Sequence, residues 1–159
     1  MSIQLKKKKT YKFKKKKTLW IPRLGANGTA SHSDGSGKAT YSETVNGYTL
    51  SITGGTNMYT GARDAKGNSC IKVGSSKATG SFSFTVPTDV NKVIIYVAQY
   101  KANTTKVTVN GEAYTITTAS NNGAYTAIEI DTSSTKTVAF ATSSGGIRCM
   151  INAIEFIAG

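Results

Sequence analysis

The chain has 159 residues, 38% of them hydrophobic and 18% charged, so it is long enough to bury one core and short for several domains. Its formal charge of +12 is unevenly placed. Ten of the 20 basic residues and none of the 8 acidic ones lie in residues 1–23, which leaves ten against eight, a net of +2, for the rest. The body is therefore not a nucleic-acid-binding domain by charge, a single histidine and two cysteines are too few for a structural zinc site, and no 18-residue apolar run offers a transmembrane helix.

Residues 1–23 read as a basic arm. Lys6, Lys7, Lys8 and Lys9, then Lys12, then Lys14, Lys15, Lys16 and Lys17 crowd positive charge into a tract with no reason to pack on itself. Six of its apolar residues, Ile3, Leu5, Tyr11, Phe13, Leu19 and Ile21, nevertheless fall on odd positions. A period of two turns alternate side chains to opposite sides of an extended strand, so the arm is expected to order against a partner. The lysines, with Tyr11, Phe13 and Trp20, are candidate anchoring residues suited to an acidic protein surface, a nucleic acid or a membrane interface. A solvated tail is the plain alternative. The tract lacks the roughly 7–15 apolar residues at the centre of a secretory signal.

Residues 24–38, LGANGTASHSDGSGK, read as a Gly/Ser-rich linker, and residues 39–159 as the β domain. Ala39–Val45 and Tyr48–Thr53 flank Asn46-Gly47, a hairpin turn that needs positive φ at both central residues. Gly54 to Gly67 reads as a loop. Ser69–Val73 and Gly80–Val86 are short strands, the second with Phe82, Phe84 and Val86 on one face and Pro87 at its end. Val90–Ala98, VNKVIIYVA, carries five β-branched residues and no Gly or Pro. It reads as a strand buried on both faces in the middle of a sheet, with Val93, Ile95 and Val97 in the core. Lys106–Val109 and Ala113–Thr117 surround Asn110-Gly111, a second hairpin. A turn at Ser120 to Gly123 leads into Tyr125–Ile130, and Lys136–Ala141 and Ile147–Ile157 complete the domain. Short strands about ten residues apart with no helix predict an antiparallel two-sheet β-sandwich, jelly-roll-like in form.

From about Ser69 onward the segments CIKVG (70–74), SFSFTVP (81–87), KVIIYVAQYKAN (92–103), VTVNG (107–111), AIEIDTSSTKTVAF (127–140) and GGIRCMINAIEF (145–156) are similar to small β-sandwich modules of bacterial surface and secreted proteins and of phage structural proteins. The resemblance implies a jelly-roll fold of the carbohydrate-binding-module type, usually appended to other domains, and it implies no ligand residues. The lysine arm departs from the secreted members. Cys70 and Cys149 fit either a disulfide, if the chain is exported, or buried thiols inside strands.

Catalytic chemistry finds little support. His32-Ser33-Asp34 has the residue types of a hydrolase triad, but adjacent residues in a Gly/Ser stretch do not converge as triad members must. The acidic residues stand singly, without a pairing for acid–base work or a spaced oxygen-rich loop for calcium. No cofactor or metal is expected. The loops Thr56–Lys66 and Ser120–Tyr125 offer Asn57, Tyr59, Arg63, Asp64, Asn121, Asn122 and Tyr125, an aromatic and planar-polar set of the kind that holds sugars. Turn formation alone would also explain them. The expectation is a non-enzymatic structural protein, a virion decoration or head-fibre protein joined by its arm to the protein subunits of a capsid or surface layer. The alternatives are a carbohydrate-binding adhesion module at a cell surface or outside the cell, and nucleic-acid binding through the arm.

Overall fold

The computed structural model describes residues 18–22 (as backbone), 39–101, 104–119 and 123–159. The lysine tract, the Gly/Ser-rich segment with His32, and Asn121 and Asn122 lie outside the described residues. Among the described residues the chain is all strand, without a helix. The first six strands are β1 (Thr18–Pro22), β2 (Ala39–Val45), β3 (Tyr48–Thr56), β4 (Met58–Arg63), β5 (Ser69–Val73) and β6 (Ser81–Thr85). The others are β7 (Val90–Gln99), β8 (Thr105–Val109), β9 (Glu112–Ile116), β10 (Thr126–Asp131), β11 (Thr137–Thr142) and β12 (Cys149–Ala158).

They pair antiparallel in two sheets. One runs β10-β7-β12-β5-β4, with β1 also paired to β12, and the other runs β2-β3-β6-β11-β8-β9. From β5 onward the chain crosses between sheets at nearly every connection, and only the β8–β9 hairpin stays in one. That winding is the jelly roll. Both Asn-Gly turns form as expected, with φ of 52° and 81° at Asn46 and Gly47 and of 49° and 84° at Asn110 and Gly111.

The core lies between the sheets. Met58, Ile71, Val73, Val93, Ile95, Val97, Ile128, Ile151, Ile154 and Phe156 of the first sheet meet Leu50, Ile52, Phe82, Phe84, Val107, Ile116, Val138 and Phe140 of the second. A column of rings crosses the layer, with Phe140 stacked on Phe82 at 5.0 Å and Phe84 on Phe156 at 5.9 Å. Offset stacks of this kind add to what the buried area alone supplies. Val93, Ile95 and Val97 are fully buried, as the apolar run predicts.

β12 has a neighbour on each side, and one of those sides is shared. Cys149–Ile151 pair with β5, whereas Ala153–Ile157 pair with β1, and a bulge between Ile151 and Ala153 falls at the handover. Residues 18–22, which the sequence assigns to the arm, thus belong to the chain's own first sheet, in the extended form that the odd-position pattern predicts.

The sequence missed β4. Asn57 and Gly61 take positive φ, at 43° and 75°, and a bulge interrupts pairing with β5 between Tyr59 and Ala62. An edge strand bent twice in six residues shows no clean alternation to read.

Two expectations follow. Ile95→Ala should cost about 2–5 kcal/mol in denaturant unfolding, since a packed Ile leaves a cavity in rigid surroundings. Removing residues 1–17 should leave the melting temperature unchanged, whereas removing 1–22 should lower it by several degrees, because only the second cut takes the β1 ladder from β12. Scanning calorimetry of the two truncations separates them.

Candidate functional site

The two loops singled out by sequence do meet. Asp64 is buried, and its Oδ1 accepts the backbone N–H of Lys66 and of Asn68, both at 2.9 Å. Its Oδ2 accepts the Asn68 amide at 2.9 Å and the Tyr125 hydroxyl at 2.8 Å. Burial by itself would raise this carboxyl, but the bonds from Asn68, Tyr125 and Lys66 outweigh it and hold the group below the ordinary carboxylate range. The Tyr125 oxygen also lies 3.2 Å from Cys70 Sγ. Burial, then Cys70 and Asp64, push the Tyr125 phenol far above its ordinary value. Nothing is left over on Asp64 for a ligand.

Asn57 and Arg63 are engaged in the same way. Asn57 is buried at the β3–β4 corner with its amide donating to Thr79 O at 2.8 Å, and Arg63 Nη1 donates to Gly67 O at 3.0 Å. These residues fasten the turns around β4. Of the five described residues drawn from the two loops, Tyr59 alone belongs to a different constellation.

Tyr59 stands on the outer face of the first sheet, opposite Lys72 of β5, whose Nζ sits 3.9 Å from its ring centroid. Lys72 is in turn opposite Met150 of β12. One step further along, Arg148 and Tyr100 flank the pair Cys149 and Gln99, so they face each other across β12 and β7. Tyr100 N–H donates to Arg148 O at 3.2 Å, and the Arg148 guanidinium carbon lies 4.4 Å from the Tyr100 centroid. Lys72 and Lys101 each reach within 5.7 Å of that same centroid. Three cations thus gather around one tyrosine ring. Attraction to the ring quadrupoles offsets part of their repulsion.

Among the described residues no carboxylate pairs with Lys72, Lys101 or Arg148; the one ion pair found there is Lys92–Glu129 at 2.8 Å. Burial and then the nearby Arg148 charge lower the Lys72 pKa. The carboxylates of this sheet lie at its other end. Glu129 takes Lys92, and Glu155 Oε2 accepts the Tyr96 hydroxyl at 3.0 Å. Tyr96 precedes Tyr100 by four residues, about 13 Å along an extended strand. The face is therefore polar end to end, basic and aromatic at one side and acidic at the other. Tyr59, Lys72, Tyr100 and Arg148 are all half-buried, held in place and open to solvent.

The second sheet presents a different outer surface. Two shallow grooves of about 290 Å³ each are lined by Ser81, Ser83, Thr108, Ala139 and Ala141 in one and by Ser51, Thr53, Thr85 and Thr137 in the other. Short hydroxyl side chains fill them, some already paired, as Thr56 with Ser81 at 2.7 Å. They offer no charge and no ring raised above the surface. Among the described residues no group of His, Cys, Asp and Glu could hold a metal ion. Cys70 and Cys149 are free buried thiols, and burial raises both.

No family model matches the chain, and no curated protein sequence matches it. Several solved structures are similar to it at low identity. A peptidoglycan O-acetylesterase matches with TM-score 0.41 and 13% identity over 87% of this chain and 33% of that one. The insecticidal crystal protein Cry2Aa matches with TM-score 0.40 and 14% identity over 89% and 21%. A family GH115 4-O-methyl-α-glucuronidase with specificity for decorated arabinogalactans matches with TM-score 0.37 and 12% identity over 83% and 18%. The chain spans a third or less of each. These likenesses are of β-rich architecture, and no family is assigned from them.

Sequence reasoning missed Lys72, Tyr100 and Arg148. Lys72 carried a signal, as a lone charge inside the apolar strand CIKV. The other two stand beside strand ends, and only the register of β12 brings them to Lys72.

The two constellations predict different mutant behaviour. Tyr125→Phe should cost about 1.5–3 kcal/mol, the range for a hydrogen bond to a charged acceptor. The stability held by Asp64 is complete above the unfolded carboxyl's pKa of about 4 and is lost as pH falls through the lower folded value. Asp64→Asn should flatten that acid limb in urea unfolding measured from neutral pH down to about pH 3.

Proposed function

We propose that the chain is a non-catalytic β-sandwich binding module that takes carbohydrate on the outer face of its first sheet, at Tyr59, Lys72, Tyr100 and Arg148. One observation carries this reading: two half-buried tyrosines and two fixed cationic donors form a single row at one end of a sheet. Saccharides are held by the combination of apolar ring surface with planar or charged hydrogen-bond donors. The Asp64–Tyr125 loops fasten the other ends of β4 and β5 and do not take part in it.

The lysine tract favours a second reading, a structural protein of a large assembly such as a virion. Lys14 to Lys17 run directly into Thr18, and β1 is paired to β12, so the tract leaves the domain from a fixed point. The tract would then bind an acidic capsid surface or packaged nucleic acid, and the sandwich would face outward. The two readings rest on different residues of one molecule.

Salt separates them. At 0.5 M salt the screening length falls to a few ångströms, and binding through a solvated lysine tract should collapse. Full-length protein on a glycan array should retain part of its glycan signal at that ionic strength, and Tyr100→Ala should lose it. Two half-buried cations are screened less than a tract of nine lysines. Signals that vanish with salt and ignore Tyr100→Ala would refute the module reading and leave the assembly anchor in front.

A further inference from the structure

Resting on the module reading above, we infer that the ligand of this patch is an acidic saccharide, one bearing a carboxylate or sulfate group that docks between Lys72 and Arg148. Lys72 stands over Tyr59 at 3.9 Å and Arg148 over Tyr100 at 4.4 Å. Each cation occupies a ring face that a neutral pyranose would need for its C–H groups. Ring stacking alone is therefore a poor account of this surface, and the unbalanced feature is its charge.

The fold keeps that charge unbalanced. Lys72 and Arg148 are brought side by side by the pairing of β5 and β7 with β12 and are half-buried, so neither relaxes freely into solvent. The carboxylates able to neutralise them, Glu129 and Glu155, are engaged at the far end of the sheet by Lys92 and Tyr96. Two fixed cations with no counter-ion among the described residues form a ready anion site, because their mutual repulsion has been accepted on folding and is relieved on binding. Lys101 at the rim adds a third, exposed charge.

The geometry suits one compact anionic group better than a chain of phosphates. The cations cluster around the single ring of Tyr100 and do not trace a groove, and the ring faces on which nucleobases would stack are those the cations hold. Arg148 presents a planar fork that matches a carboxylate or sulfate bidentately, and Lys72 adds a point charge.

The test uses isotope-labelled full-length protein and short ligands, too small to profit from the lysine tract. Trigalacturonate supplies the carboxylate, a sulfated disaccharide the sulfate, methyl-esterified trigalacturonate the same sugar without charge, and a trinucleotide the phosphate. One acidic sugar should shift the amide resonances of Tyr59, Lys72, Tyr100 and Arg148, and the better of the two names the group. Lys72→Gln and Arg148→Gln should each weaken it at least tenfold with an unchanged unfolding midpoint. The ester should bind at least tenfold more weakly. Equal binding of ester and acid at these residues would overturn the acidic inference while leaving the module reading intact. Binding by the trinucleotide alone would overturn it in favour of nucleic acid. No shift at these residues with any sugar, here and across the glycan array, would remove both readings.

Discussion

The position of β12 is the constraint on which the rest depends. Among the described residues it is the only strand of the first sheet whose two sides serve three partners, with β7 along one edge and β5 then β1 along the other. Its core-facing residues Cys149, Ile151, Ile154 and Phe156 close the sandwich from one side, and the bulge after Ile151 lets the strand change neighbours without losing its inward face. A slip of one residue would exchange the two faces, putting Met150 and Glu155 in the core. The burial of Ile151, Ile154 and Phe156 makes that slip costly, so the register is firmly set. The same register fixes Arg148 opposite Tyr100 and beside Lys72. The core thus determines where the charges meet.

The two faces of that sheet are used differently. The inner face supplies the hydrophobic core. On the outer face Ala98, Met150 and Ala153 are buried as well. This explains why Val93, Ile94 and Ile95 run apolar without a break: side chains on both faces of the strand are buried, as in the middle of a sheet. On such a face a half-buried cation is held by its neighbours, and holding is what a binding site needs from a scaffold.

Much of the fold could be read from the chain because its signals were local. The Asn-Gly turns, the Phe82–Phe84–Val86 alternation and the Val93–Ile95 run each declare themselves within ten residues. β4 did not, since two positive-φ residues and a bulge broke its period. The site was less legible for a stronger reason. The residues picked from the loops were chosen for being polar and aromatic, and Asn57 and Asp64 have those properties because turns need them. Lys72, Tyr100 and Arg148 come from three separate strand regions, and no spacing in the sequence records a cross-strand diagonal. Tyr59 was selected for the right chemistry and the wrong neighbours.

What distinguishes this surface from an ordinary solvated one is the enforced closeness of Lys72 and Arg148 with no carboxylate of the described residues paired to either. Isotope-detected titration of the Lys72 side chain measures that directly. With ligand absent, Lys72 should titrate below the ordinary lysine value of about 10.4, and Arg148→Gln should move it back upward while Lys101→Gln moves it less. A Lys72 that titrates at its ordinary value and ignores Arg148→Gln would mean the two charges are independent and solvated, and the site as described would not exist.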